Sequence, residues 1–276
     1  MADTRVCQTH VGSIAMITLN NVNMTVSRIG LGTVKFGRNQ GVKYPHPFSL
    51  PTDLAIQELL SRAQELGINL LDTAPAYGTS EERLGKLLTG KRSDWVLCTK
   101  VGEEFIDGQS HFDFSATAIQ KSIERSLKRL KTDYLDIVLV HSNGDDVDLI
   151  ENKLVFETLG SFKKKGLIRA FGMSTKTIEG GMLAVDHSDI VMVTYNFLHT
   201  EERPVIAYAH EKQKGVFIKK AFASGHLEKI SAEDPIQAAM RFVFAEEGVS
   251  SVIVGTLNKT HLEQNACHAS MLLAGI

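Results

Sequence analysis

The stretch Ile68-Asn69-Leu70-Leu71-Asp72-Thr73-Ala74-Pro75-Ala76-Tyr77-Gly78 decides the fold. A short apolar run follows Gly67 and stops at an acid, the pattern of a buried parallel strand that delivers Asp72 to its C-terminal tip. Tyr77 then lies on the loop just beyond. Alone, an Asp before a helix is usually a cap and a Tyr in a loop is usually packing. The weight of the stretch therefore depends on whether the rest of the chain points to the same place.

Upstream, Thr52 can cap a helix in which Leu54, Ala55, Leu59, Leu60, Ala63 and Leu66 recur at helical spacing, with Gly67 as its stop. Before it, the Gly/Pro-rich segment 37–51 reads as a long loop, and Ile29-Gly30-Leu31-Gly32-Thr33 as a first inner strand. Earlier still, two β-like runs at 14–18 and 24–27 flank Asn20-Asn21-Val22-Asn23, which supplies the turn of a hairpin.

Downstream the pattern repeats. Ser80 opens a helix through Leu88, a strand at 95–100 ends at Lys100, and Ser115 caps a periodic helix. A strand at 134–140 then ends at His141, followed by a helix over 150–165. Strands at 167–173, 189–194, 215–218 and 249–254 alternate with helices at 177–185, 202–213, 235–246 and 259–268. Counted from Ile29, this makes eight β/α units, the number and size of a closed (β/α)8 TIM barrel with an N-terminal β-hairpin, one domain over residues 1–276. A doubly wound open sheet is the rival. Against it, Gly30-Leu31-Gly32-Thr33-Val34-Lys35 lacks the third glycine of a dinucleotide fingerprint and a helix start just after it.

Composition limits the partners. With 30 Lys+Arg against 32 Asp+Glu the net charge is −2, which gives no electrostatic reason for nucleic acid or an anionic membrane and leaves a small molecule as the default. Cys7, Cys98 and Cys267 are odd in number and far apart, so they suggest reduced thiols rather than a disulfide framework or a metal site. The N-terminal residues lack the apolar core of a signal peptide, and no stretch approaches a membrane span. A cytoplasmic protein is expected, its oligomeric state left open.

In a barrel the chemistry sits at the C-terminal ends of the strands. Asp72, Lys100 and His141 end three consecutive strands, and Tyr77 follows the first. Strand parity puts Leu70 under Asp72, Val96 and Cys98 under Lys100, and Ile137 and Leu139 under His141. An acid, an amine, a phenol and an imidazole over one barrel mouth make a site. A neighbouring ammonium is expected to lower the pKa of the phenol, so that Tyr77 beside Lys100 becomes a usable general acid. Asp72 would hold the lysine's charge in place, and His141 would donate to the same oxygen. Together they offer a proton and positive potential to a carbonyl oxygen as hydride reaches its carbon.

On these residues the chain resembles an aldo-keto reductase. The resemblance is carried by Ile29-Gly30-Leu31-Gly32-Thr33, by Asp72 to Gly78 followed by Ser80-Glu81-Glu82-Arg83-Leu84-Gly85, and by Thr99-Lys100. Further matches are Tyr134-Leu135-Asp136 with His141, Gly166-Leu167-Ile168-Arg169-Ala170-Phe171-Gly172-Met173-Ser174, and Val254-Gly255-Thr256-Leu257-Asn258 with His261, Leu262 and Asn265. The family's tetrad falls on Asp72, Tyr77, Lys100 and His141. The resemblance implies a TIM barrel, reduction of an aldehyde or ketone with NADPH, NADH being the alternative, and no metal. It places cofactor binding at Gly32, Thr33, Ser174, Lys219, Lys220, Gly255, Thr256, Asn258, His261 and Asn265.

There are departures. Ser174 is followed by Thr175 where the family typically has Asn, Met192 replaces a common glutamine, and Lys219 stands at the position of a nicotinamide-stacking aromatic. Thr256 and Asn258 could equally be caps of the last helix. The tail from Ala266 is short where relatives use a longer loop, so Val34, Phe36 and the loop 37–51 are expected to set the substrate pocket, and Trp95, at a strand start, to stay out of it. Two readings of other classes compete: a nicotinamide-binding regulatory subunit with little turnover, and a metal-dependent barrel hydrolase or isomerase, against which the ammonium of Lys100 argues.

Overall fold

The computed structural model describes residues 13–226 and 232–275. Its first elements are the antiparallel strands β1 (Met16–Leu19) and β2 (Met24–Ser27), joined by a short turn in which Asn23 adopts a left-handed conformation. Then comes β3 (Ile29–Gly32), the first of eight parallel strands that close on one another. The others are β4 (Leu70–Asp72), β5 (Val96–Val101), β8 (Leu135–His141), β9 (Ile168–Ser174), β10 (Ile190–Thr194), β11 (Gly215–Lys219) and β12 (Ser251–Val254), which pairs back onto β3. The hairpin and closed barrel are those expected.

Alternation along each strand sorts the side chains into two layers. Leu70, Val96, Cys98, Ile137, Leu139, Ala170, Ile190, Met192 and Phe217 fill the barrel, and Leu19, Met24 and Val26 of the hairpin pack against them, plugging its N-terminal end. The opposite faces, among them Leu71, Leu97, Val138, Val140 and Val193, meet the helices. Trp95 is buried in this outer layer, as its place at a strand start suggested.

The helices begin where side-chain caps allow. Thr52 accepts the N–H of Ala55 ahead of Asp53–Glu65, Ser115 that of Ala118 ahead of Ala116–Leu130, and Thr177 that of Gly180 ahead of Ile178–His187. Four details differ from expectation. The helix expected over 150–165 is two, Asp146–Glu151 and Val155–Lys164, parted at Leu154, whose φ is +52°. The last helix runs on through the expected tail, Lys259–Leu273. A single turn, Val34–Gly37, does follow β3 directly. Between β5 and the next helix the chain forms a hairpin, β6 (Glu103–Ile106) and β7 (Gln109–Phe112).

Among the cysteines, Cys98 is free and buried, whereas Cys267 is disulfide-bonded, which corrects the expectation of a reduced thiol there. Cys7 lies outside the described residues. No helix among the described residues is long and apolar enough to cross a membrane.

Candidate active site

The C-terminal mouth of the barrel opens into a cavity of about 660 Å³, a volume typical of small-ligand sites. Asp72, Tyr77, Lys100 and His141 all line it. They arrive there because β4, β5 and β8 are in register: Asp72 pairs with Cys98 and Lys100 with Leu139, so each polar tip stands one step above an apolar inner residue. Tyr77 is set by a one-turn 3-10 helix, Pro75–Tyr77, and by Gly78, whose φ is +61°. A β-carbon at Gly78 would fall 2.1 Å from the Gly37 carbonyl oxygen, so both backbone conformation and space require glycine there.

Lys100 is almost fully buried. Its Nζ donates to Asp72 Oδ1 at 2.6 Å and to the Thr73 carbonyl at 2.9 Å, and lies 4.9 Å from the centre of the Tyr77 ring. Burial favours the neutral amine, but Asp72 and the other groups around it outweigh that and hold the pKa above that of a free lysine. For Tyr77 the balance is the reverse of that expected. Burial raises the phenol's pKa by more than the ammonium of Lys100 lowers it, and Asp72 adds to the rise. In this cavity the phenol stays protonated over the whole ordinary pH range.

The His141 ring stands nearly perpendicular to that of Tyr77, with centroids 6.3 Å apart. Its Nδ1 is 2.6 Å from Oε2 of Glu103, the first residue of β6. The approach is out of line with the ring N–H, so this is a charge contact and not an aligned hydrogen bond. Burial pulls the imidazole's pKa down; Glu103 pushes it up, and Lys100 and Lys219 push it down again, the net direction being down. Burial works to raise the pKa of Glu103, yet His141, Ser110 and Arg38 outweigh it and hold the carboxyl at about 2.

Of the expected cofactor residues, Gly32, Thr33, Ser174, Lys219, Lys220, Gly255, Thr256, His261 and Asn265 border the same cavity. Asn258 does not. Its Oδ1 accepts the N–H groups of Thr260 and His261 as cap of the last helix, and its own N–H donates to Thr256 Oγ1. Thr33 is committed to the fold as well, its hydroxyl donating to the Asp72 carbonyl. Lys219 Nζ donates to Ser174 Oγ at 2.8 Å and to the Thr175 carbonyl at 2.7 Å, and burial brings its pKa down to about 8. Thr175 is turned away from the cavity, donating to Glu202 Oε1. Met192 lines the cavity.

Of the residues expected to shape the substrate pocket, Val34 borders the cavity but Phe36 does not; it is fully buried in the helix layer. The two sit in one helical turn, where positions two apart point about 200° away from each other. Residues 41–46 of the long loop do reach the cavity, and the Lys35 ammonium lies 4.0 Å from the centre of the Tyr44 ring. Lys35, Lys176, Tyr44 and Glu103 were not singled out from sequence. A signal for the hairpin that carries Glu103 was present: Asp107-Gly108 is a turn pair of the kind that joins two strands, and both residues have positive φ.

The Aldo/keto reductase family model matches residues 28–237, and the chain belongs to that family. Among curated relatives, it is 30% identical to the uncharacterised oxidoreductase YqkF of Bacillus subtilis over 80% of this chain and 68% of that protein. It is 33% identical to the aldo-keto reductase YhdN of the same organism over 71% of this chain and 58% of that one. Among solved structures, the Pseudomonas aeruginosa protein PA4992, assigned to the aldo-keto reductases, shares 50% identity over 94% of this chain and 96% of its own, with a TM-score of 0.85. The chain is thus an oxidoreductase of a family that uses nicotinamide cofactors on small carbonyl compounds.

Proposed function

We propose that this protein reduces an aldehyde or ketone to an alcohol with NADPH, Tyr77 serving as the general acid. The observation that carries the proposal is the placing of a charged, buried lysine between Asp72 and the Tyr77 ring, on the wall of a cavity that His141 shares. A carbonyl oxygen in that cavity would meet the phenol O–H and the imidazole, with the Lys100 charge behind them. As negative charge grows on that oxygen, a fixed positive charge in a water-poor site stabilises it, and the phenol supplies the proton. The phenol's raised pKa fits an acid that gives up its proton only when the oxygen has become strongly basic, and Lys100 then stabilises the phenolate left behind. Asp72 keeps that lysine charged throughout.

The residues present suit a nicotinamide dinucleotide. Asn265 is 4% exposed, borders the cavity, and its Oδ1 has no hydrogen-bond partner among the described residues, so it stands ready for a ligand's donor. Ser174, Lys219 and Lys220 would hold the nicotinamide half, and Gly255, Thr256, His261 and Asn265 the adenosine half, with Gly32 and Thr33 flanking. When bound, the cofactor supplies the hydride. NADPH is preferred to NADH on the adenosine side, where Thr256 and His261 border the cavity and offer donors to a 2′-phosphate.

The proposal is tested by mixing purified protein and NADPH with a panel of aldehydes and following absorbance of the reduced nicotinamide. Aldehyde-dependent oxidation is expected. Tight nucleotide binding with no turnover on any carbonyl would instead favour a regulatory role.

A further inference from the structure

Glu103 is a buried acid that the chemistry above does not use. Its side chain is 11% exposed, at the start of a hairpin whose other face is open to solvent. One carboxylate oxygen accepts from Ser110 Oγ at 2.6 Å, and the other stands 2.6 Å from His141 Nδ1. The neighbouring Glu104 pairs with Arg125 of the helix Ala116–Leu130, which ties the hairpin down. The carboxylate is thus fixed beside Nδ1 of the imidazole.

A carboxylate beside one ring nitrogen decides where the protons of the other can be. With its proton on Nε2, a neutral imidazole would leave a bare, partly negative Nδ1 2.6 Å from a carboxylate oxygen, which is repulsive even without alignment. The neutral ring therefore keeps its proton on Nδ1 and offers only a lone pair to the cavity. Only the doubly protonated ring has an Nε2–H to give, and the carboxylate stabilises that form.

We propose that Glu103 is the positioning residue of the site: by holding a proton on His141 Nδ1, it makes His141 a hydrogen-bond donor to the substrate oxygen only as imidazolium. The inference rests on the reductase reading for its kinetic consequence but not for its structural content. The groups facing His141 are Glu103 from the hairpin, Lys100 from β5, Tyr77 from the loop after β4, and Lys219 from β11, and of these only Glu103 favours the imidazolium. Ser174, opposite His141 on β9, is occupied by Lys219. Carbonyl reduction should fall as pH rises through the titration of His141, and replacing Glu103 should move that fall to lower pH.

The deciding experiment is a 15N-histidine NMR titration of the full chain, with His141→Gln to assign the resonance. In Glu103→Gln the His141 pKa should drop by about one unit, and the neutral ring should lose its preference for Nδ1–H. Glu103→Asp, which keeps the charge, should recover much of both. In the kinetic arm, the falling limb of kcat/KM should shift by the same unit, about a tenfold loss above it, with KM for cofactor unchanged. A His141 titration and tautomer identical in wild type and Glu103→Gln would overturn the proposal, even if the protein reduces aldehydes. Absence of any carbonyl reduction would remove the reductase reading and leave the NMR result to decide the role of Glu103. If Glu103→Gln does not fold, Glu103→Ala, which removes the same charge with less bulk, carries the test: a shift in the same direction is expected, and no shift would count against the proposal.

Discussion

At the scale of single residues, Tyr77 and Lys100 give the sharpest expectations. Tyr77→Phe removes one hydroxyl from a site held by Lys100 and Gly78, so the fold should survive while turnover falls by about 10²–10⁴, as for loss of a general acid. Steady-state NADPH oxidation beside a melting curve checks both halves. Lys100→Met should do more, because it strands Asp72 in a buried position; removing one partner of such a pair costs about 3–5 kcal/mol, read as a lower unfolding midpoint in urea. Glu103 adds a pH dependence of stability. Its carboxyl titrates lower in the fold than the ~4.3 of a free glutamate, so its stabilisation is complete above that value and is lost as pH falls toward about 2. The difference in urea midpoint between wild type and Glu103→Gln should therefore be largest above the free glutamate value and below the titration of His141, shrinking at about pH 3 and, in part, once the imidazole has lost its proton. Residues at strand tips were legible in the sequence because parity fixes which face they share. Glu103 was not: the Asp107-Gly108 pair marks a turn, but nothing local says which face of the hairpin is turned inward, and the burial that outweighs Lys100 at Tyr77 arises from contacts far apart in sequence.

At the scale of elements, the helix Ser80–Leu87 carries the load between the Tyr77 loop and the next β/α unit. It lies so close to Ala116–Leu130 that a β-carbon on Gly85 would sit 1.9 Å from the Arg129 carbonyl oxygen. Gly85→Ala must therefore push two helices apart, and a loss of about 1–3 kcal/mol is expected by analogy with overpacked cores, measured by calorimetry or urea titration. Helix starts were readable from caps such as Thr52, Ser115 and Thr177. Helix ends and breaks were less so: the apolar spacing runs straight across 152–154, while Asp146, accepting the N–H groups of Lys176 and Thr177, anchors the first segment to the loop after β9. That anchor is a tertiary contact and leaves no mark in local periodicity. The same holds for Phe36, which looked like part of the pocket until one helical turn put it on the opposite side from Val34.

At the scale of the whole molecule, the barrel was legible because counting alternating elements fixes closure, whereas the lining of its mouth depends on loops whose course the count does not set. Strands β4, β5, β8, β9, β11 and β12 each lend residues to the cavity, so a ligand there bridges elements from both ends of the chain. Nucleotide should therefore stabilise the fold globally: at a hundredfold excess over its Kd the gain is about 2.7 kcal/mol, visible as a raised melting temperature, and NADPH should raise it more than NADH. The most direct test of the central claim, that one charged lysine and one phenol over the barrel mouth drive carbonyl reduction, is the rate of aldehyde-dependent NADPH oxidation by wild type and Tyr77→Phe at equal nucleotide saturation. The account predicts turnover in the first and its near loss in the second with cofactor binding intact; equal rates in the two proteins would contradict it.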